Sequence, residues 1–178
     1  MAEKQFNLNS HDEKQFDNIV NKGLIEGGIH LNAMKNFGKS RLMFAICAKL
    51  QPMENVRCLS FDGSEAWLWG YNKIPVFNIY ESDVQLLTDI KTTQDVERYQ
   101  FTNWQLIKLA LDTYKDILFR LKTRKPSKRG FAIRQIILYL DSIQRAQREK
   151  NTNHEPSQRI AYFCDELNDV FTQKAHKD

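Results

Sequence analysis

Short, mainly apolar segments, separated by stretches with helical spacing, predict an α/β fold with a mainly parallel sheet flanked by helices. The segments lie at residues 29–31, 56–61, 76–79 and 160–164, and the last of them is an unbroken apolar run. Strands of a parallel sheet are covered on both faces, so they read as continuous apolar runs rather than alternating ones. Residues 1–178 are predicted to form a single domain, with its ligand at the carboxyl ends of the strands.

Apolar residues that recur every three or four positions predict five helices. A capping pattern of Ser10 and Glu13 starts a short N-terminal helix over 11–21, which Gly23, Gly27 and Gly28 break before the first strand. The others are predicted over 39–50, 83–90, 103–122 and 131–150. The last two form a predicted helical hairpin, inserted before the final strand.

Residues 136–141 offer a second interpretation, because they read as an apolar run that ends in an acid. Their apolar positions continue a helical spacing on both sides, and no turn signal follows Asp141. A helix is therefore predicted here, and Asp141 stays as the alternative to the metal-binding acid described below.

The segment from Ala33 to Ser40 has the residue types of a phosphate-binding P-loop. It follows the predicted strand at 29–31 and opens the predicted helix at 39–50, which is the context such a loop requires. In P-loops, backbone N–H groups and a helix N-terminus face the phosphates, a lysine neutralises them and a Ser or Thr hydroxyl holds Mg²⁺. Lys39 and Ser40 match these two side chains. The predicted ATP contacts are Ala33, Met34, Lys35, Asn36, Phe37, Gly38, Lys39, Ser40 and Arg41. The alternative is a basic helix N-terminus capped by polar residues.

Two acids follow the predicted strand at 160–164. In P-loop ATPases the first such acid holds Mg²⁺ through its water shell, and the second polarises the attacking water. Asp165 is therefore a predicted metal ligand together with Ser40, and Glu166 is the predicted catalytic base, assisted by Lys39 at the phosphates. The alternative is an ordinary helix N-terminus, where the helix dipole favours acidic residues.

The P-loop, together with the strand that leads into residues 165–168, resembles the HerA/FtsK-type DNA-pumping ATPases, a superfamily that includes conjugation and viral genome-packaging ATPases. A further likeness lies at residues 56–63, a strand ending in Asp-Gly, with Trp67 and Trp69 close behind. The resemblance extends over residues 29–171, but it depends on these three short segments.

This resemblance implies a P-loop NTPase fold that uses ATP and Mg²⁺, moves DNA and forms a homo-oligomeric ring. It places Lys39 and Ser40 at the phosphates and Mg²⁺, Asp165 at Mg²⁺, and Glu166 at the attacking water. Ala33 departs from the usual first glycine of the loop. Only residues 167–178 follow Glu166, which is too few for the strands and sensor residue of such motors. The chain is therefore expected to be an excerpt of a longer protein or an incomplete motor, and no arginine finger is assigned.

Composition excludes two broad classes of protein. A content of 42% hydrophobic and 11% aromatic residues excludes a wholly disordered chain, and no apolar run reaches a membrane span, which takes about 20 residues. The first residues lack the apolar core of a signal peptide, so the protein is expected in the cytoplasm, or the host cytoplasm if viral. The cysteines Cys47, Cys58 and Cys164 lie far apart in apolar runs, and no zinc-like spacing is present.

Positive charge is concentrated in the turn between the two predicted hairpin helices. The whole chain carries a net charge of +4. This turn predicts a contact with the phosphate backbone of a nucleic acid, which Arg134, Arg145 and Arg148 extend along the second helix. A solvated connection between helices is the alternative. The basic residues of the turn are Lys122, Arg124, Lys125, Lys128 and Arg129.

Three classes of function agree with these features. The favoured one is an ATP-binding and ATP-hydrolysing DNA-translocating motor domain, which works as a ring because a neighbouring subunit completes each site. The second is another P-loop enzyme, such as a kinase. The third is a nucleotide-binding scaffold without turnover.

Overall fold

A computed structural model describes residues 10–26, 39–62, 74–87, 99–150 and 158–164. The chain divides into two compact units, Met1–Leu42 and Met43–Asp178. In the described residues, no helix is both long enough and apolar enough to cross a membrane. The elements in chain order are α1 (Ser10–Glu26), α2 (Lys39–Leu50), β1 (Val56–Asp62), β2 (Val76–Tyr80), a 3₁₀ turn (Glu81–Asp83), β3 (Val84–Leu86), β4 (Tyr99–Phe101), α3 (Trp104–Thr113), β5 (Ile117–Lys122), α4 (Pro126–Lys150) and β6 (Arg159–Cys164).

Four of the strands form a parallel sheet in the order β2-β5-β1-β6. The predicted strands at 56–61, 76–79 and 160–164 are confirmed, each with one further residue. The strand predicted at 29–31 lies outside the described residues. The fold is therefore α/β with a parallel sheet, as the sequence predicted.

The two faces of this sheet carry different layers of the core. Leu59 and Phe61 of β1 and Phe119 of β5 join one buried cluster with the apolar faces of α3 and α4. The rings of Phe61 and Phe119 stack with their centres 5.6 Å apart. On the opposite face, the thiol of Cys58 contacts Cys47 of α2; this hydrogen bond and burial raise the pKa of Cys58. Helices thus cover both faces of the sheet.

The predicted helix over 103–122 was wrong in its second half. α3 ends at Thr113, Tyr114 is extended, and residues 117–122 form β5, which pairs with both β1 and β2. A central strand buries side chains on both faces, so its run of apolar residues also fits a helical spacing. The helical hairpin predicted over 103–150 therefore does not form; α4 instead connects β5 to β6.

Three smaller boundaries also differ from the predicted ones. α1 continues through Gly23 to Glu26, because a single glycine disfavours a helix interior by only about 1 kcal/mol relative to alanine. The predicted helix at 83–90 is wrong where it is described, since Val84–Leu86 is β3 and pairs antiparallel with β4. α4 begins at Pro126 rather than at residue 131, and proline is favoured at a first helical position.

Polar groups at the amino-terminal edge of the sheet are bonded to one another. The guanidinium of Arg57 donates to the carbonyl oxygens of Leu111 and of Tyr114, the second at 2.9 Å, where α3 ends. Burial lowers the pKa of Arg57. The neighbouring Lys115 donates to the carbonyls of Gln51 and Met53 at 2.8 and 2.7 Å. This edge therefore serves to join α3, β1 and the end of α2.

Candidate functional site

The carboxyl-terminal edge of the parallel sheet is the candidate functional site. β1, β2, β5 and β6 end there at Asp62, Tyr80, Lys122 and Cys164. Open parallel sheets covered by helices bind their ligands outside the carboxyl ends of the strands, where loops and helix N-termini meet. The sequence predicts three groups of functional residues: the P-loop, the second acidic motif and the basic turn. The predicted P-loop is compared below with the helix that follows it, and the other two groups are compared with this edge.

The helix that follows the predicted P-loop begins where the sequence predicts it, at Lys39. Ser40 is half-buried and Arg41 is exposed in its first turn. Ala33, Met34, Lys35, Asn36, Phe37 and Gly38 lie outside the described residues, as does the side chain of Lys39. The helix that a P-loop needs is thus confirmed, and the phosphate contacts remain a prediction.

The second acidic motif is preceded by the strand that it requires. β6 lies beside β1 in parallel, with Cys164 in register with Phe61, and burial raises the pKa of the Cys164 thiol to about 12. Asp165 and Glu166 lie outside the described residues, so their roles remain predictions.

Asp141, the alternative metal-binding acid, lies in the middle of α4 as the helical spacing predicted. It forms an ion pair with Arg145, one turn further along, at 2.7 Å. In the described ranges, no three His, Cys, Asp or Glu side chains are grouped so that they could hold a metal ion. Asp141 therefore lies within a helix rather than at the end of a strand.

The basic turn has a different setting from the predicted one. It connects the carboxyl end of the central strand β5 to the N-terminus of α4, and so belongs to the candidate edge itself. Lys122, Arg124 and Lys125 are exposed, whereas Arg129 is half-buried. The side chain of Lys128 is only 13% exposed and lies 2.7 Å from the carboxylate of Glu81. Three of the five predicted cations therefore face solvent, and Lys128 is bound within the protein.

Glu81 holds the end of β2 against the basic turn. Its carboxylate accepts hydrogen bonds from Lys128, from the hydroxyl of the buried Thr123 and from the backbone N–H of Arg124. Lys128 also donates to the Glu81 carbonyl oxygen at 3.0 Å. The bond from Lys128, followed by that from Thr123, lowers the pKa of Glu81. The sequence prediction missed both Glu81 and Thr123. The available signal was the position of Thr123, a polar residue close behind an apolar run.

Replacing Glu81 with Gln should reduce stability at neutral pH but not in acid. Because the folded-state pKa is lowered, the carboxylate stabilises the fold above its ordinary pKa and loses this effect as the pH falls through the lowered value. The ion pair is half-exposed, so we expect a loss of about 1 kcal/mol or less. Urea unfolding of both proteins at several pH values measures it, and a difference that does not shrink in acid would contradict the assignment.

Arg120 is a third polar residue at this edge that the sequence prediction missed. It lies on β5 in register with Asp62 of β1 and Asn78 of β2. Its side chain is half-buried, and its buried Nε has no hydrogen-bond partner in the described part of the chain. A guanidinium in this position is a suitable donor for an anionic group at the carboxyl ends of the strands.

Comparison of the chain with protein-family models, with curated proteins and with solved structures found no match. The functional interpretation therefore depends on the residues and on the elements that carry them.

Proposed function

We propose that this chain binds ATP with Mg²⁺ and hydrolyses it, as the P-loop ATPase domain of a DNA-translocating motor. The observation that carries the proposal is the agreement of two motifs with their elements. α2 begins at the lysine of the P-loop motif, and the parallel strand β6 ends at Cys164, directly before the first acid of the second motif. Neither a capped basic helix nor an acidic helix N-terminus requires a parallel strand at that position.

The proposed roles follow from the chemistry of each group. Backbone N–H groups of residues 33–38 and the Lys39 ammonium bind the phosphates of ATP. Ser40 at the start of α2 is suited to hold Mg²⁺ together with Asp165, since hydroxyl and carboxylate oxygens are the ligands that Mg²⁺ prefers. The bound ion neutralises charge that develops on the phosphates. Glu166 orients the attacking water and accepts its proton.

Coupling to DNA rests on two features, the resemblance to DNA-pumping ATPases and the exposed cations at the carboxyl end of β5. In a ring, a neighbouring subunit supplies the cation that one chain lacks at the transferring phosphate. Such a ring agrees with the sequence prediction, in which no arginine finger is assigned among the site residues.

Steady-state hydrolysis of ATP by the purified chain with Mg²⁺, measured with and without duplex DNA, tests the proposal. We expect turnover that rises when DNA is added. Transfer of phosphate to an added acceptor would favour a kinase, and tight nucleotide binding without turnover would favour a scaffold. Either result would contradict the motor.

Glu166→Gln should preserve ATP binding and lower turnover by about 100-fold or more, since the amide keeps the shape of the side chain but cannot accept the proton. Glu149→Gln, an exposed change at the end of α4, is the matched control and should leave turnover unchanged. Normal hydrolysis by the Glu166 variant would remove this residue from the site.

A further inference from the structure

Positive charge in this chain is concentrated in one segment, residues 122–150. This segment holds nine Lys and Arg and two Asp and Glu, a net charge of +7, whereas the chain as a whole has a net charge of +4. The remaining residues together therefore carry −3. Such a separation within a small domain produces a strong local field, which a random distribution of surface charge does not.

Six of the exposed cations lie in two groups, three in the turn before α4 and three on one side of the helix. α4 has 3.6 residues per turn, so positions 134, 145 and 148 lie within about 60° of one another around its axis. Its buried residues, among them Ala132 and Ile136, lie on the opposite side. We call this set the basic stripe: Lys122, Arg124 and Lys125 in the turn, and Arg134, Arg145 and Arg148 on α4.

Lys128 does not belong to the basic stripe, because its ammonium is bound to the carboxylate and carbonyl of Glu81. α4 also carries two acids on its outward side: Asp141, which forms an ion pair with Arg145 one turn away, and the exposed Glu149, which follows Arg148. Arg145 stays 73% exposed in spite of that pair, so its charge still faces solvent. The stripe therefore presents cations at both ends of α4.

The length of the stripe matches the repeat of a double helix. From residue 126 to residue 148 the axis of α4 rises by about 33 Å at 1.5 Å per residue. One turn of duplex DNA is about 34–36 Å. A duplex lying along α4 would bring the same backbone strand to the turn and to Arg145 and Arg148. A single strand has no fixed repeat and gains nothing from this spacing.

An anionic membrane is a poorer match for the same surface. A helix that binds a bilayer inserts an apolar face below its charged face. Within α4, all of which the structure describes, the apolar face is buried against the sheet, and Leu138 is the exposed large apolar side chain. A rigid polar surface with spaced cations is complementary to a phosphodiester backbone rather than to an acyl layer.

We propose that the basic stripe is the docking surface for the backbone of double-stranded DNA, contacted independently of base sequence. The choice of DNA as the duplex rests on the proposed motor function, whereas the position of the surface rests on its charge and length. Binding at the stripe needs no ATP. A failure of the ATPase and a failure of the docking surface can therefore be told apart.

The test is fluorescence anisotropy with a labelled duplex of about 20 base pairs, two turns, without nucleotide and at salt concentrations of about 50 to 200 mM. One variant replaces Arg134, Arg145 and Arg148 with Gln, and a second replaces Lys122, Arg124 and Lys125 with Gln. The control removes the same charge from exposed lysines of α1 and α2, Lys14, Lys22 and Lys49. Circular dichroism and urea unfolding verify that each variant folds.

Each stripe variant should lower the magnitude of the slope of log K against log salt by about 0.9 per contact removed, or about 2.7 for three. The control should bind as the unmodified protein does. Three results would overturn the proposal: an equal loss in the control, tighter binding of a single strand of the same length, or displacement of the duplex by phosphatidylserine vesicles that bind through the same arginines.

Discussion

Lys39→Ala is expected to lower the affinity for MgATP by about 100-fold or more and to abolish hydrolysis. The ammonium of a P-loop lysine makes charge-assisted hydrogen bonds to phosphate oxygens, and such bonds are short and strong. Loss of that partner leaves phosphate charge uncompensated, which costs about 3 kcal/mol, equivalent to roughly 100-fold in a binding constant. Isothermal titration with a non-hydrolysable ATP analogue measures the affinity separately from turnover.

Lys49→Ala is the matched control for this experiment. Lys49 lies in the last turn of the same helix and is exposed, so the change removes the same side chain from α2 without touching the P-loop. We expect it to bind the nucleotide as the unmodified protein does. Equal affinities for the Lys39 variant and the Lys49 variant would show that the loop at 33–40 does not bind phosphate.

Phe119→Ala should lower the free energy of unfolding by about 3–5 kcal/mol, as do other deletions of fully buried aromatic side chains. Phe119 is fully buried at the centre of the sheet. Its ring lies 5.6 Å from that of Phe61 and 5.9 Å from that of Phe77, on the two neighbouring strands. Urea unfolding measures the change, and Tyr114→Ala, at an exposed position just beyond α3, should change stability by less than about 1 kcal/mol.

This substitution also separates the two interpretations of residues 117–122. In a helix over 103–122, the apolar side would contain Leu118, and Phe119 would point about 100° away from it. In the strand, both side chains are buried, on opposite faces of the sheet. A small effect of Phe119→Ala beside a large effect of Leu118→Ala would favour the helix and contradict β5.

The strands β1 and β6 were predictable because each is a short, mainly apolar segment with polar boundaries. β5 was missed because Tyr114, Leu118 and Leu121 continue the helical spacing of α3 by chance. Only pairing with β1 and β2, which are distant in sequence, decides between the two conformations. Local spacing contains no information about such partners.

The candidate site was predictable in part for the same reason. The boundaries of α2 and β6 follow from local signals, and the two predicted nucleotide motifs lie at the start of α2 and directly after β6. The bond of Glu81 to Lys128 and Thr123 joins residues about forty positions apart, so no spacing rule suggests it. Because Lys128 is bound to Glu81, it is not available to a ligand. A count of the basic residues in the turn cannot reveal this.

The strand order has a consequence for how the chain assembles. β1 is the first strand of the sheet to be synthesised among those described, yet its neighbours are β5 and β6, so Val56 pairs with Arg159 and Leu59 with Ile117. Closing such long loops precedes any gain from pairing, which slows folding in proteins dominated by distant contacts. During synthesis on the ribosome, β1 therefore stays unpaired until the second half of the chain emerges. In that interval its apolar side chains lack their partner strands, so chaperone binding or aggregation competes with folding.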